Sequence, residues 1–248
     1  MSNWPTLKRE PVQLPVFPGL DELLWLTLIE VGGVRRGEWT LIGGQMVLLH
    51  AIEHGIQPPR VSTDLDALVN ARVAADSVRR FVRELESRGF ELTGTSPEGL
   101  AHRYDRDGVS IDVLAPEGLG QRSDLTTTPP GRTLQVPGGT QALKRTEFVP
   151  VQILDSTGLV PRPSLLGAII CKAEAVDADD MPEAQRTDLA LLLSMVDQPL
   201  MLANELTPKD RTRIRRRAEM SDPDQLAWRA LDAEGASRGR AAYRLLSR

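Results

Sequence analysis

Apolar positions recur at two spacings along the chain, and the spacing separates helices from strands. Val78, Phe81, Val82 and Leu85 fall three or four apart in VAADSVRRFVRELESRGF, which predicts an amphipathic helix stopped by Gly89. GLDELLWLTLIEV (19–31) reads as an apolar helix. QMVLLHAIEHGI reads as another, with Met46, Leu49 and Ile52 or Glu53 in helical step and Gly55 as its stop. EWTLIGG predicts a short strand closing on two glycines. RVSTDLDALVN (60–70) alternates instead, with Val61, Thr63, Leu65, Ala67 and Val69 on one face and Ser62, Asp64, Asp66 and Leu68 on the other. AHRYDRDGVSIDVLAP predicts a hairpin turning at Arg106-Asp107-Gly108. Its second arm sets Val109, Ile111 and Val113 against Ser110, Asp112 and Leu114.

The remaining text completes the layout. Pro5, Pro11, Pro15 and Pro18 mark residues 1–18 as an extended arm. Residues 115–160 are rich in Gly, Thr and Pro, with short strands expected at 133–136 and 149–154. From Pro163 the pattern is helical, over 164–177, 183–196, 207–220 and 223–247. The expected architecture is an α/β (α+β) domain over 19–160 followed by an all-α domain over 161–248.

Three aspartates are thus embedded in strands. Asp64 and Asp66 point the same way, roughly 7 Å apart along the chain for a rise of ~3.3 Å per residue. Like charges so placed raise each other's pKa, and a hard divalent cation is the simplest remedy. A solvated sheet face is the plain alternative. The glycine pair Gly43-Gly44 stands where a strand becomes a helix. Without side chains there, an anion can approach backbone N–H groups and the helix's positive end. Carboxylates on neighbouring strands beside a phosphate site are the parts needed for in-line phosphoryl displacement with one or two metal ions.

Composition narrows the setting without naming the chemistry. The 248 residues are 41% hydrophobic and 26% charged, ordinary for a globular protein, and only 4% aromatic. A net charge of −4 gives no global sign of nucleic-acid binding, yet residues 209–248 hold 11 basic against 6 acidic residues. That segment is therefore +5 and the rest of the chain −9, so a polyanion could be held on one side. The single cysteine, Cys171, excludes an intrachain disulfide and fits a reducing compartment. MSNWPTLKREP is too polar for a signal peptide, and no apolar run nears the ~20 residues of a membrane span. A soluble cytoplasmic protein is expected.

The order LIGGQMVLL, STDLDALV, SIDVL resembles the DNA polymerase β-type nucleotidyltransferase superfamily. Within it, the chain resembles the AbiEii-type toxins of bacterial toxin–antitoxin systems, including the MenT-like tRNA nucleotidyltransferases. The resemblance spans residues 38–196 and implies a nucleotidyltransferase-like domain with a mixed sheet. It implies that Lys172, in PSLLGAIICKAEAV, contacts NTP phosphates and that Asp188, in EAQRTDLALLLSM, orients that lysine or the acceptor. It further implies Mg2+ on Asp64 and Asp66 with Asp112 assisting, phosphates on Gly43 and Gly44, a tRNA 3′ end as acceptor, and a separately encoded antitoxin. Ser62 shares the aspartates' face and could touch a phosphate or a metal-bound water.

Two other features stand beside this reading. His50-Ala51-Ile52-Glu53-His54 is H-x-x-E-H, the spacing of an inverted zinc-protease motif, so a zinc hydrolase is the rival enzyme. PKDRTRIRRR places Lys209, Arg213, Arg216 and Arg217 on one helical face, which could follow an RNA backbone or dock an acidic partner. No aromatic residue interleaves with it, which argues against base stacking there. Modification of a protein or small molecule, and nucleotide binding without turnover, are the remaining alternatives.

Overall fold

The structure is a computed structural model of the chain, and it describes residues 3–15, 20–60, 62–120, 123–178 and 180–248. Val61 and part of the arm (1–2 and 16–18) lie outside the described residues. The main sheet is mixed. Its strands are β2 (Trp39–Ile42), β3 (Asp64–Val69), β4 (Glu91–Leu92), β5 (Arg103–Arg106) and β6 (Val109–Pro116), in the order β2-β3-β6-β5-β4, with β7 (Gln135–Val136) on the far end of β6. β3 runs antiparallel to β2 and parallel to β6. A second sheet holds β8 (Thr146–Ile153) between β1 (Val12–Gln13) and β9 (Ser156–Pro163). The arm is therefore tied down, with β1 parallel to β8 and Thr6 bridged to Phe148.

Helices α1 (Leu20–Gly32), α2 (Gly43–Glu53), α3 (Ser77–Glu86) and α4 (Gly139–Lys144) alternate with the strands. A helical region follows, made of α5 (Leu165–Ala175), α6 (Pro182–Ser194), α7 (Pro199–Asn204), α8 (Pro208–Arg215), α9 (Leu226–Arg229) and α10 (Ala233–Leu246). Local chemistry sets several ends. Pro182 opens α6, where a missing N–H costs nothing. Thr207 and Asp210 cap α8 reciprocally, and Asp232 caps α10 by accepting from the Gly235 N–H at 2.6 Å.

The predicted helix over 207–220 is shorter than expected. α8 ends at Arg215 and a 3₁₀ turn follows over Ala218–Ser221. Arg217, at the start of that turn, has non-helical backbone (φ −86°, ψ 49°) and its side chain holds Asp177. β9 has no counterpart among the predicted elements, and it holds Pro161 and Pro163, residues uncommon within strands. It forms at the edge of its sheet, where a proline's missing N–H leaves no broken ladder.

The two faces of β3 meet different surroundings. Leu65, Ala67 and Val69 are buried in the large core that runs from Val12 to Leu246. Val69 pairs with Trp39, whose ring packs on Phe81 of α3 with centroids 5.6 Å apart. On the opposite face Leu68 joins a smaller cluster with Ile42, Leu114, Ala142, Leu143 and Cys171. α4 closes down on it so tightly that a Cβ at Gly139 would lie 3.2 Å from Leu68 Cδ1. That cover stops short of the strand's first residues, and there the aspartates stand.

Candidate active site

The register of the sheet assembles the acidic centre. Asp66 pairs directly with Asp112 across β3 and β6, and with Ile42 across β2. Asp64 lies two residues back on the same face, level with Ser110. The glycine pair is pressed onto this strand. Gly43 has φ +69°, and a Cβ there would overlap the Asp66 carboxylate. A Cβ at Gly44 would fall 2.5 Å from Ser62 Cβ. Close approach of β3 to Gly43, and of the segment leading into it to Gly44, is thus sufficient reason for both glycines. The first turn of α2 has no side-chain cap, so its N–H groups remain available beside Asp66.

A cavity of about 540 Å³ opens on this face. Gly43, Asp66, Arg103 and Asp112 line its sheet side, and Lys172 and Gln185 line its helical side. Gly44, Ser62, Asp64 and Asp188 are not among its lining residues. Lys172 is buried and donates to Gln185 Oε1 and Asp188 Oδ2, each at 2.8 Å. Two of its three donors are therefore fixed. Asp188, equally buried, also accepts both arms of Arg60, at 2.9 and 2.5 Å. Both of its oxygens face this pair of cations, so it positions Lys172.

Arg103 is the residue that the sequence reading missed. Its Nε donates to Asp112 Oδ1 at 2.8 Å, and its Nη2 donates to Asp112 Oδ2 at 2.7 Å and Asp64 Oδ2 at 2.9 Å. The same hydrogen bonds raise the guanidinium's pKa further. The signal was present: the two-residue turn Asp107-Gly108, both with positive φ, fixes a hairpin register that sets Arg103 opposite Asp112. Arg60 shares the parity of Asp64 and Asp66, which could have flagged it too.

The charges in the centre do not balance. Arg103 serves Asp64 and Asp112, while Lys172 and Arg60 serve Asp188. Among the described residues nothing donates a hydrogen bond to Asp66 and no cation pairs with it. Burial first, and then the neighbouring Asp112, push its carboxyl up to about 7, against the pull of Lys172. As they stand, the described residues contain no cluster of three His, Cys, Asp or Glu side chains able to hold a metal ion, and Arg103 lies between two of the three aspartates. The residues nevertheless fit a divalent cation on one observation: oxygen donors are in excess, and Asp66 has no cationic partner.

The H-x-x-E-H residues do different work. Glu53 accepts from Arg162 at 2.6 and 2.9 Å and from Arg9 at 2.9 Å. His50 Nε2 lies 3.1 Å from the Pro163 carbonyl, and burial beside Arg162 lowers its pKa well below the usual histidine range. His54 Nδ1 lies 2.8 Å from the His50 carbonyl. These contacts tie α2 to β9 and the arm. The basic segment is also rearranged. Arg217 is nearly buried and holds Asp177 with both arms, at 2.7 and 2.6 Å. Arg213 pairs with Asp210 and Glu174, while Lys209 and Arg216 stay exposed. The four do not form one continuous helical stripe, because the helix ends before two of them.

Comparisons with known proteins place little beside this chain. A solved structure of an antigenic nucleotidyltransferase-like protein from Paracoccidioides brasiliensis is similar over 82% of this chain and 90% of that chain, at 13% identity and a TM-score of 0.48. No protein-family model matches the chain, and no curated protein does. Among the described residues no helix is long and apolar enough to cross a membrane.

Proposed function

We propose that this protein is a nucleotidyltransferase that moves an NMP group from an NTP to an RNA hydroxyl, with a tRNA 3′ end as the acceptor. The observation that carries the reading is the juxtaposition of Asp66 with Asp112 across one strand pair, Asp64 beside them and Gly43 pressed on Asp66. Asp64 and Asp66 would hold Mg2+, with Asp112 as a further ligand or as base toward the attacking hydroxyl. When bound, the metal supplies Lewis-acid stabilisation of charge at the reacting phosphate.

The chain's own groups account for the rest. The backbone N–H groups of Gly43 and Gly44 seat the β- and γ-phosphates, and the Ser62 hydroxyl would reach a phosphate or a metal-bound water. Lys172 neutralises phosphate charge with its remaining donor, held in place by Asp188. The acceptor oxygen bonds to the α-phosphorus, the bond from that phosphorus to the bridging oxygen breaks, and pyrophosphate leaves with the electron pair. The hydroxyl proton passes to Asp112. Lys209 and Arg216 are the exposed basic residues that would meet the RNA backbone, with Arg213 beside them. Arg217 would act only by shaping that surface. In this reading the protein is a toxin held in check by a separately encoded antitoxin.

The test is transfer of label from each α-32P-labelled NTP to total tRNA with Mg2+, beside an Asp64→Ala control. Label on tRNA that vanishes in the control supports the reading and names the base. Label on protein or a small acceptor keeps the chemistry and replaces the acceptor. Absence of transfer with every NTP, from folded protein, overturns the reading.

A further inference from the structure

We infer that Arg103 is an internal stand-in for the metal: its guanidinium occupies the cation position between Asp64 and Asp112, and a divalent ion enters only by displacing it. The inference rests on the metal-binding reading given above for the three aspartates. Its own support is geometric. The guanidinium makes three charge-assisted hydrogen bonds, of 2.8, 2.7 and 2.9 Å, to the two carboxylates that flank Asp66 in the acidic centre. No other cation pairs with either carboxylate among the described residues.

Arg103 is also built to leave. It stands on β5 opposite Asp112, and its side chain is 44% exposed, against 3% for Lys172 and 3% for Asp188 in the neighbouring ion pair. A buried pair of that second kind is costly to break, whereas an exposed arginine can trade carboxylate for water. The displaced group stays at the same cavity, which its residue lines together with Lys172. Metal affinity in the free protein is therefore lowered by the fraction of molecules in which the guanidinium holds the position.

The experiment is a Mn2+ titration, followed by the electron paramagnetic resonance signal of free Mn2+, on the wild type, Arg103→Met and Arg103→Lys. Methionine keeps the apolar stem and removes the charge. The inference expects Arg103→Met to bind Mn2+ about 10-fold tighter or more, the scale of one charge-assisted hydrogen bond. Arg103→Lys, which cannot form the fork, should fall between the two. Mn2+ should also raise the melting temperature of Arg103→Met by more than that of the wild type. Binding by Arg103→Met that equals the wild type or is weaker overturns the stand-in role, provided Asp66→Asn abolishes binding in both. Should no variant bind Mn2+, or should Asp66→Asn leave binding intact, the metal-binding reading falls and this inference with it. Arg103→Lys retains the positive charge, so the comparison survives if Arg103→Met fails to fold.

Discussion

The two faces of β3 carry the same backbone to opposite ends. One face, with Leu65, Ala67 and Val69, is sealed in the core and contributes stability. The other begins with Asp64 and Asp66 and closes only at Leu68. Burial on the first face is favourable residue by residue, at about 25 cal/mol per Å² of apolar surface. On the second face a carboxylate is withdrawn from water, beside another, with no cation of its own. A strand optimised only for stability would not be written that way. The contrast teaches that β3 is a structural element on one side and a site on the other, and it can be broken from either side.

The largest expected effect comes from the acidic face. Asp66→Asn should lower nucleotide transfer by at least ~10²–10³-fold, the scale of losing several kcal/mol of metal-borne charge stabilisation, while circular dichroism stays native. A variant that keeps wild-type transfer would remove Asp66 from the site. Next comes the apolar face. Leu65→Ala should cost about 2–5 kcal/mol in urea unfolding, for the lost transfer energy plus the cavity. A loss of catalysis without a loss of stability there would erase the distinction between the faces. Gly43→Ala should sharpen it: the left-handed backbone costs about 1–2 kcal/mol, and the new Cβ displaces Asp66, so transfer falls far more than stability does.

A further effect is one of pH, and its sign is opposite to that of an ordinary ion-paired aspartate. Unfolded Asp66 releases its proton near ~3.9, whereas the folded metal-free protein holds it to about 7. Over that window the folded state binds more protons, so Asp66 lowers stability as pH rises and adds no further change above it. Metal-free Asp66→Asn should therefore melt higher than the wild type at pH 8 but not at pH 4. An equal difference at both pH values would show that Asp66 does not titrate in this range.

Much of this was legible in the sequence, for local reasons. The alternation of RVSTDLDALVN placed both aspartates on one face, and the helical stripe of Val78, Phe81, Val82 and Leu85 is buried as its spacing requires. Asp107-Gly108 announced its hairpin. The failures are also physical. β9 holds prolines that are harmless at an edge, and α7 is a helix of only 6 residues opened by Pro199. The basic stripe assumed a helix that in fact ends at Arg215, and Arg217 turns away from it to pair with Asp177. The H-x-x-E-H pattern gave helical spacing but not its partners, Arg9, Arg162 and Pro163, which arrive from distant segments.

By itself, the sequence determined which side chains share a face, because the period of a strand or helix follows from covalent geometry and chirality within a few residues. Only the tertiary structure decided what each face meets. Asp112 opposes Asp66 because two strands pair in one register, and Lys172 and Arg60 converge on Asp188 although Arg60 lies 128 residues before it. Such meetings depend on which distant surfaces bury best against one another. That is a property of the whole core, and no local pattern contains it.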